Sequence, residues 1–208
     1  MADKFSPISI SRLFQLILNG ERKGRILNIP RELFFAPGAG DPFRTRRYGQ
    51  VLETPLGVAA GPHTQMAQNI VAAWLCGARY MELKTIQTLD DLEVSKPCID
   101  MQDEGYNCEW SQELRIRESI DEYLHAWILI HVLRHKFGWE GESGAIFNMS
   151  VGYNLEGIRQ DNVQHFLDKM EDCSAELSEK VDQLRPLYPR ISEIDIPTRI
   201  SDNVTLST

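Results

Sequence analysis

The sequence has few cysteines, and none of them are spaced as metal ligands usually are. Its four cysteines, Cys76, Cys98, Cys108 and Cys173, contain no C-x-x-C pair. That spacing argues against a zinc or iron–sulfur site in this chain, and against a secreted disulfide framework. The sequence also has no apolar run long enough to span a bilayer, and its first residues lack a signal-peptide pattern. A cytoplasmic location with reduced thiols is therefore expected.

Positive charge is also in deficit. The chain has 22 Lys and Arg against 30 Asp and Glu, which gives a net charge of −8. An acidic chain is a poor partner for nucleic acid or an anionic membrane, so neither is expected as a partner. With 208 residues, of which 42% are hydrophobic, the chain is long enough to bury one sizeable core.

The hydrophobic pattern predicts alternating strands and helices. An N-terminal helix is predicted over residues 8–20, ending at Gly20. A hairpin with arms RRYG and QVLE follows, which could plug the bottom of a barrel. On this pattern the chain has two parts. Residues 1–45 are an N-terminal helix and linker, and residues 46–208, which begin with the hairpin, are a β/α region. The elements predicted in that region are the strands 56–60, 79–86, 145–150 and 203–207 and the helices 65–77, 113–137 and 162–184.

Repeated β–α–β units predict a parallel sheet with right-handed crossovers. An eight-unit barrel takes about 250 residues, so this length holds only about half of one. The chain is then either a small open sheet or the first part of a barrel. An open sheet edge could pair with a second copy or with another redox subunit.

Unusual residues follow the predicted strands at the edge where parallel sheets bind ligands. The stretch TPLGVAAGPHTQ, residues 54–65, narrows to three tiny residues, Ala59, Ala60 and Gly61. Such residues let a flat ligand lie against the backbone, although a tight turn explains them as well. Lys84 and Thr85 follow the second strand, and Asn148 and Ser150 end the third.

The phrases GPHTQMAQN, ELKTIQ, KPCIDMQDE and FNMSVGYNLEGI carry a family resemblance over nearly the whole chain. The sequence resembles the N-terminal part of the selenate reductase iron–sulfur/FAD subunit family, which is related to dihydropyrimidine dehydrogenase. That resemblance implies an α/β fold, a TIM (β/α)8 barrel of the dihydroorotate dehydrogenase type. Only the first half, about four βα units, would be present here.

The resemblance also implies a flavin site. Ala59, Ala60 and Gly61 resemble the segment on which the FMN ring rests, and Asn148 and Ser150 would line the ring. Thr205 stands where relatives often have Asn. The catalytic residues implied are Lys84, whose ammonium would stabilise reduced flavin, and Asn107, which would bind a substrate amide. The cofactor-binding residues implied are Ala59, Ala60, Gly61, Lys84, Thr85, Asn148 and Ser150.

The activity implied is that of an FMN-dependent oxidoreductase acting on a pyrimidine-like or related small acceptor, in a selenate- or purine-associated reductase. FAD and iron–sulfur clusters would belong to regions beyond this chain, as would the acid/base loop and the phosphate-binding loops. This polypeptide alone is therefore expected to bind FMN poorly and to be inactive. Two alternatives remain, a non-catalytic half-barrel and an aldolase-like barrel in which Lys84 forms a Schiff base.

Several residues have a second interpretation. Lys84 could form a salt bridge with Glu82 or Asp103 instead of contacting a flavin. His63 could contact a ligand or bond only to backbone. Cys108 is expected to be structural because no basic neighbour would lower its pKa. Among the remaining candidates, the acidic residues Asp100, Asp103 and Glu104 fit a solvated loop better than a metal site, and the apolar stripe Trp127, Ile128, Leu129 and Val132 fits a core or an interface.

Overall fold

A computed structural model describes residues 5–38, 40–90, 112–139, 141–152 and 154–207, together with the backbone of 99–100 and 106–107. The elements, in chain order, are α1 (Ile10–Glu21), β1 (Arg25–Ile26), β2 (Ile29–Pro30), β3 (Thr45–Arg47), β4 (Gln50–Leu52), β5 (Gly57–Val58), α2 (Ala67–Leu75), β6 (Tyr80–Glu82), β7 (Ile99–Asp100), β8 (Tyr106–Asn107), α3 (Ile116–Phe137), β9 (Ile146–Gly152), α4 (Leu155–Ile158), α5 (Asp161–Glu171), α6 (Ser174–Leu184) and β10 (Val204–Ser207). Short 3-10 helices cover Arg31–Leu33, Pro62–Gln65 and Pro189–Glu193.

The centre of the fold is a four-stranded sheet in the order β10-β9-β6-β5. All three pairings are parallel, as the strand–helix alternation predicts. Alternate residues of β9 lie on opposite faces of this sheet. Phe147, Met149 and Val151 belong to the core that the helices cover. Asn148 and Ser150 therefore lie on the other side, called the inner face below.

Helix α3 is the main cover of the outer face. This helix has 22 residues and is buried on several sides, as the apolar segment AWILIHVL predicts. The Trp127 ring packs edge-on against Phe147 of the sheet, with centroids 5.3 Å apart. The stripe Trp127, Ile128, Leu129 and Val132 is core, which confirms one of the two interpretations the sequence left open.

The predicted hairpin is present as the antiparallel pair β3–β4. Gln50 Nε2 donates to Asp202 just before β10, at 3.1 Å, and the Glu53 N–H donates to the Gly144 carbonyl just before β9, at 3.0 Å. These contacts place the hairpin at the amino ends of the sheet strands.

A buried ion cluster fastens the chain after this hairpin to α3 and to the start of β6. Glu53 accepts from the Arg79 guanidinium at 2.6 Å and from the Arg134 guanidinium at 2.7 Å. All three side chains are buried. Burial lowers the pKa of Arg79, and Glu53 opposes that effect. Sequence analysis missed this cluster because its members are far apart in the chain.

Several predicted boundaries are wrong by a few residues: the strand predicted over 79–86 ends at Glu82, and the helix predicted over 113–137 begins at Ile116. Helix α1 continues through Gly20 to Glu21. Gly20 is needed instead for the close approach of β1, because a Cβ there would lie 2.5 Å from the Arg25 carbonyl oxygen. The single helix predicted over 162–184 is two helices, α5 and α6. The chain breaks where the Asp172 carboxylate accepts from the Ser174 N–H and buried Cys173 bonds to Thr198.

Candidate functional site

The carboxyl ends of β5, β6 and β9 meet at one edge of the parallel sheet. Lys84 and Thr85 follow β6, and Ser150 lies near the end of β9. Thr85 Oγ1 is 3.0 Å from Ser150 Oγ, so the structure brings these two predicted residues into contact. Lys84 is 4% exposed and Ser150 is 2% exposed. A pair of hydroxyls carries two protons but needs only one for its mutual hydrogen bond, which leaves one to donate elsewhere.

The three tiny residues after β5 differ from one another. Ala59 is exposed, Ala60 is half-buried and Gly61 is buried. The Gly61 N–H bonds to Thr64 Oγ1 at 3.1 Å, and the Thr64 N–H bonds to the Gly61 carbonyl at 3.0 Å. At Gly61 the alternative of a tight turn therefore applies. Exposed His63 lies in the 3-10 helix that follows.

Asn148 ties three neighbouring strands together. Its Nδ2 lies 2.9 and 3.0 Å from the two Glu82 carboxylate oxygens and 2.8 Å from Thr205 Oγ1. Asn148 is 1% exposed. Its side-chain amide thus bonds β6 and β10 to β9. Thr205 accepts one of these hydrogen bonds.

Asn107 lies on β8, whose backbone pairs with β7: Ile99 is opposite Asn107 and Asp100 is opposite Tyr106. The side chains of Asp100 and Asn107 lie outside the described part of the chain, as do Asp103, Glu104 and Cys108. The predicted roles of Asn107 and of the acidic loop remain predictions.

Three buried glutamines that the sequence analysis missed organise both ends of the segment between β6 and α3. Gln65 Oε1 accepts from the N–H groups of Glu113 and Leu114, each at 3.2 Å. The Gln87 N–H donates to Gln112 Oε1 at 3.2 Å. Burial of glutamine leaves no periodic signal in a sequence, so only the structure identifies them.

A second missed polar contact joins α3 to the start of α2. Glu122 is 1% exposed, and its Oε2 accepts from the Ala67 N–H at 2.7 Å. A carboxylate at the first residue of a helix satisfies a backbone donor and complements the helix dipole. Glu122 therefore fixes α2, which follows the Ala59–Gly61 loop.

A separate cleft lies away from this edge. Its volume is about 720 Å³, and it lies beside the carboxyl end of α3, between His131, Trp139, Ser143 and Arg190. That is the end of the sheet where the strands begin. The predicted site residues do not line it.

The described residues show neither a metal cluster nor a membrane span. None of their His, Cys, Asp and Glu side chains form a group of three or more that could hold an ion. No helix among them is long and apolar enough to cross a bilayer. Cys173 is buried, its Sγ lies 2.9 Å from the Thr198 carbonyl oxygen, and burial raises the pKa of the thiol to about 11.

Comparison with known proteins identifies the family. A family model described as oxidoreductase YgfK, N-terminal TIM-barrel domain, matches residues 27–208. The chain belongs to this family. The parallel sheet of the structure agrees with the TIM-barrel domain that this family model describes.

Two curated relatives carry the name “Putative oxidoreductase YgfK”, one from Escherichia coli strain K12 and one from E. coli O157:H7. Each is 42% identical over 235 aligned residues, which cover 100% of this chain and 22% of the relative. The chain thus spans about a fifth of the length of these relatives. The expectation of a TIM barrel is confirmed by the family description.

Proposed function

We propose that residues 46–208 form the first half of an FMN-binding barrel of the dihydroorotate dehydrogenase type. The observation that carries the proposal is Lys84, a buried lysine at the carboxyl edge of a parallel sheet in an oxidoreductase family. A buried ammonium is costly unless it interacts with other groups, so such residues mark functional sites more often than surface lysines do.

The donor set at this edge fits a flavin ring. Lys84 supplies a positive charge, and the Thr85–Ser150 pair has one hydroxyl proton to donate. The acceptor atoms of an isoalloxazine edge require such donors. Exposed Ala59 leaves the neighbouring strand end without a bulky side chain. FMN, when bound, would supply two-electron redox chemistry, for which the proposed substrate is a pyrimidine-like or related small acceptor.

The roles of the individual residues follow from their chemistry. Lys84 would hold a positive charge beside the ring and favour its reduced, anionic form. Asn107 would recognise a substrate amide, because a carboxamide both donates and accepts. Asn148 would support the ring from β9 while it ties the strands together.

The test uses the complete native gene product that carries these residues. We expect it to purify with a flavin absorption band. Lys84→Met should weaken FMN binding by about tenfold or more, because a charge-assisted contact is lost. Lys136→Met is the matched control, since Lys136 lies on α3 and pairs with Glu21 at 3.1 Å. Asn107→Ala should raise the KM for substrate more than it changes FMN affinity.

Two outcomes would contradict the proposal. One is a colourless gene product that FMN cannot reconstitute. The other is borohydride trapping of a carbonyl substrate on Lys84, which would favour the Schiff-base alternative instead.

A further inference from the structure

The strand that leads to Lys84 contains one more residue than its neighbour. Glu82 pairs with Asn148, but Ile86 pairs with Val151, where an unbroken register would place Gly152 opposite Ile86. The four-residue advance from Glu82 to Ile86 is thus matched by an advance of only three residues, from Asn148 to Val151, on β9. The extra residue forms a β-bulge at Leu83–Thr85, called the β6 bulge below.

The hydrogen bonds confirm the slip. The Leu83 N–H donates to the Asn148 carbonyl and the Ile86 N–H donates to the Ser150 carbonyl, each at 2.9 Å. Three residues of one chain therefore span two of the other. In a regular parallel ladder these two spans would be equal.

The bulge changes which way the side chains point. Leu83 and Ile86 are both in the helix-side core, although regular alternation would put residues three apart on opposite faces. Thr85, which would otherwise face the helices, contacts Ser150 on the inner face at 3.0 Å. The β6 bulge thus lets two consecutive polar residues, Lys84 and Thr85, occupy the site edge.

Two groups hold the bulge. On the helix side, the Tyr123 hydroxyl of α3 donates to the Lys84 carbonyl oxygen at 3.3 Å. Tyr123 is 0% exposed, and its ring packs edge-on against Phe166 with centroids 6.3 Å apart. On the sheet side, Ser150 bonds to Thr85. A tyrosine hydroxyl is protonated at neutral pH, and burial raises the pKa of Tyr123 further, so this hydroxyl can donate.

We propose that Tyr123, assisted by Ser150, is a positioning residue that holds the β6 bulge and thereby places the ammonium of Lys84. A bulge carbonyl lies where the strand ladder is interrupted, and a buried carbonyl without a partner is costly. Loss of the Tyr123 hydroxyl would favour rearrangement of the bulge and movement of Lys84. The consequence for FMN rests on the proposed function, but the effect on Lys84 itself does not.

The first test needs no cofactor. The protein is acetylated with an amine-reactive reagent under native conditions, and the rate at Lys84 is measured by peptide mass spectrometry. Tyr123→Phe should raise that rate by about three- to tenfold, the range expected for one lost hydrogen bond. Tyr188→Phe is the matched control. It also removes one tyrosine hydroxyl, which lies 2.8 Å from His135 Nδ1 in a half-buried place away from the bulge.

An unchanged rate at Lys84 in a folded Tyr123→Phe protein would overturn the proposal. If that variant does not fold, Ser150→Ala carries the test, because it removes the support on the sheet side. Faster acetylation of Lys84 in Ser150→Ala then supports the proposal, and an unchanged rate overturns it.

The second test measures the midpoint potential of FMN bound to the complete native gene product. Tyr123→Phe should make the potential more negative, because a displaced ammonium stabilises the reduced flavin less, and Tyr188→Phe should leave it unchanged. A wild-type protein that binds no FMN contradicts the proposed function, yet the acetylation rates still decide whether Tyr123 positions Lys84. An unchanged potential in Tyr123→Phe would contradict a role of that positioning in flavin chemistry.

Discussion

His131 shows how burial changes the chemistry of a single residue. Its ring packs edge-on against Trp127, with centroids 4.7 Å apart, and its Nε2 is buried without a hydrogen-bond partner in the described part of the chain. Burial first, and the charge of Arg134 second, lower the pKa of His131 to about 4. The folded protein therefore keeps this imidazole neutral at pH values where the unfolded chain protonates it.

The sign of the pH effect follows from that difference. The unfolded histidine has a pKa of about 6.5, so the unfolded chain binds an extra proton between about pH 6.5 and 4. The contribution of His131 to stability is complete above this window and falls as the pH falls through it. Urea unfolding at pH 7 and pH 4.5 should show a smaller loss of stability for His131→Gln than for wild type, by on the order of 2 kcal/mol.

His165→Gln is the control for this prediction, because His165 is exposed on α5. The control should lose about as much stability between the two pH values as wild type does. Equal losses for wild type and His131→Gln would contradict the assignment.

At the scale of elements, the join between the hairpin and α3 depends on a glycine. Gly144 precedes β9 with φ of +65°, and a Cβ there would overlap the side chain of Glu53. Glu53 holds Arg79 and Arg134, so displacing its carboxylate would leave two buried guanidinium groups without their acid.

Gly144→Ala should therefore cost on the order of 3 kcal/mol or more in the free energy of unfolding. Gly138→Ala is the matched control, because Gly138 caps α3 with a similar φ of +69° and has nothing within 4 Å of its added Cβ. The control should cost only about 1 kcal/mol, the price of a left-handed backbone. Urea titration of both variants measures the difference in the free energy of unfolding. Equal costs would mean that the Glu53 side chain can move aside without destabilising the protein, which would contradict the prediction.

The elements themselves were largely predictable, because periodicity records which face is buried. The four sheet strands and the long helix lie within a few residues of their predicted positions. The break between α5 and α6 was not predictable, since it depends on a contact of Cys173 with the distant Thr198. The β6 bulge was hidden for the same reason: the sequence ELKTI alternates acceptably, and only the register with β9 reveals the extra residue.

At the scale of the whole molecule, helices cover most of the outer face of the sheet but leave β10 exposed. Val204 and Leu206 lie on one side of this strand and are 46% and 63% exposed. Adjacent exposed apolar residues on an edge strand are a common site of association.

The 208-residue chain by itself should therefore self-associate, and Val204→Lys together with Leu206→Lys should shift it toward monomer. Light scattering after size exclusion measures the molar mass. A matched double variant, Leu33→Lys with Phe43→Lys, alters two residues that are 61% and 64% exposed elsewhere and should leave the mass distribution unchanged. A wild-type chain that is uniformly monomeric would contradict the prediction.

The candidate site divides in the same way. The common edge of Lys84, Thr85 and Ser150 could be predicted from their places after β6 and near the end of β9, because parallel strands bring their carboxyl ends to one edge. That Asn148 links Glu82 to Thr205 could not, since a hydrogen bond across three strands depends on side-chain packing. The three tiny residues do not share one role: Gly61 forms a local turn, whereas Ala59 is exposed at the sheet edge.

The sequence by itself determined the kind of fold and the edge at which to look for chemistry, because hydrophobic periods of two and of about 3.6 residues encode which faces are buried. Tertiary structure alone decided the register, the bulge and the buried polar contacts. These depend on pairs of residues far apart in the chain, such as Tyr123 with Lys84 and Glu53 with Arg134. A local sequence pattern cannot predict such pairs, because each polar partner is costly to bury unless the other, distant in the chain, is in contact with it.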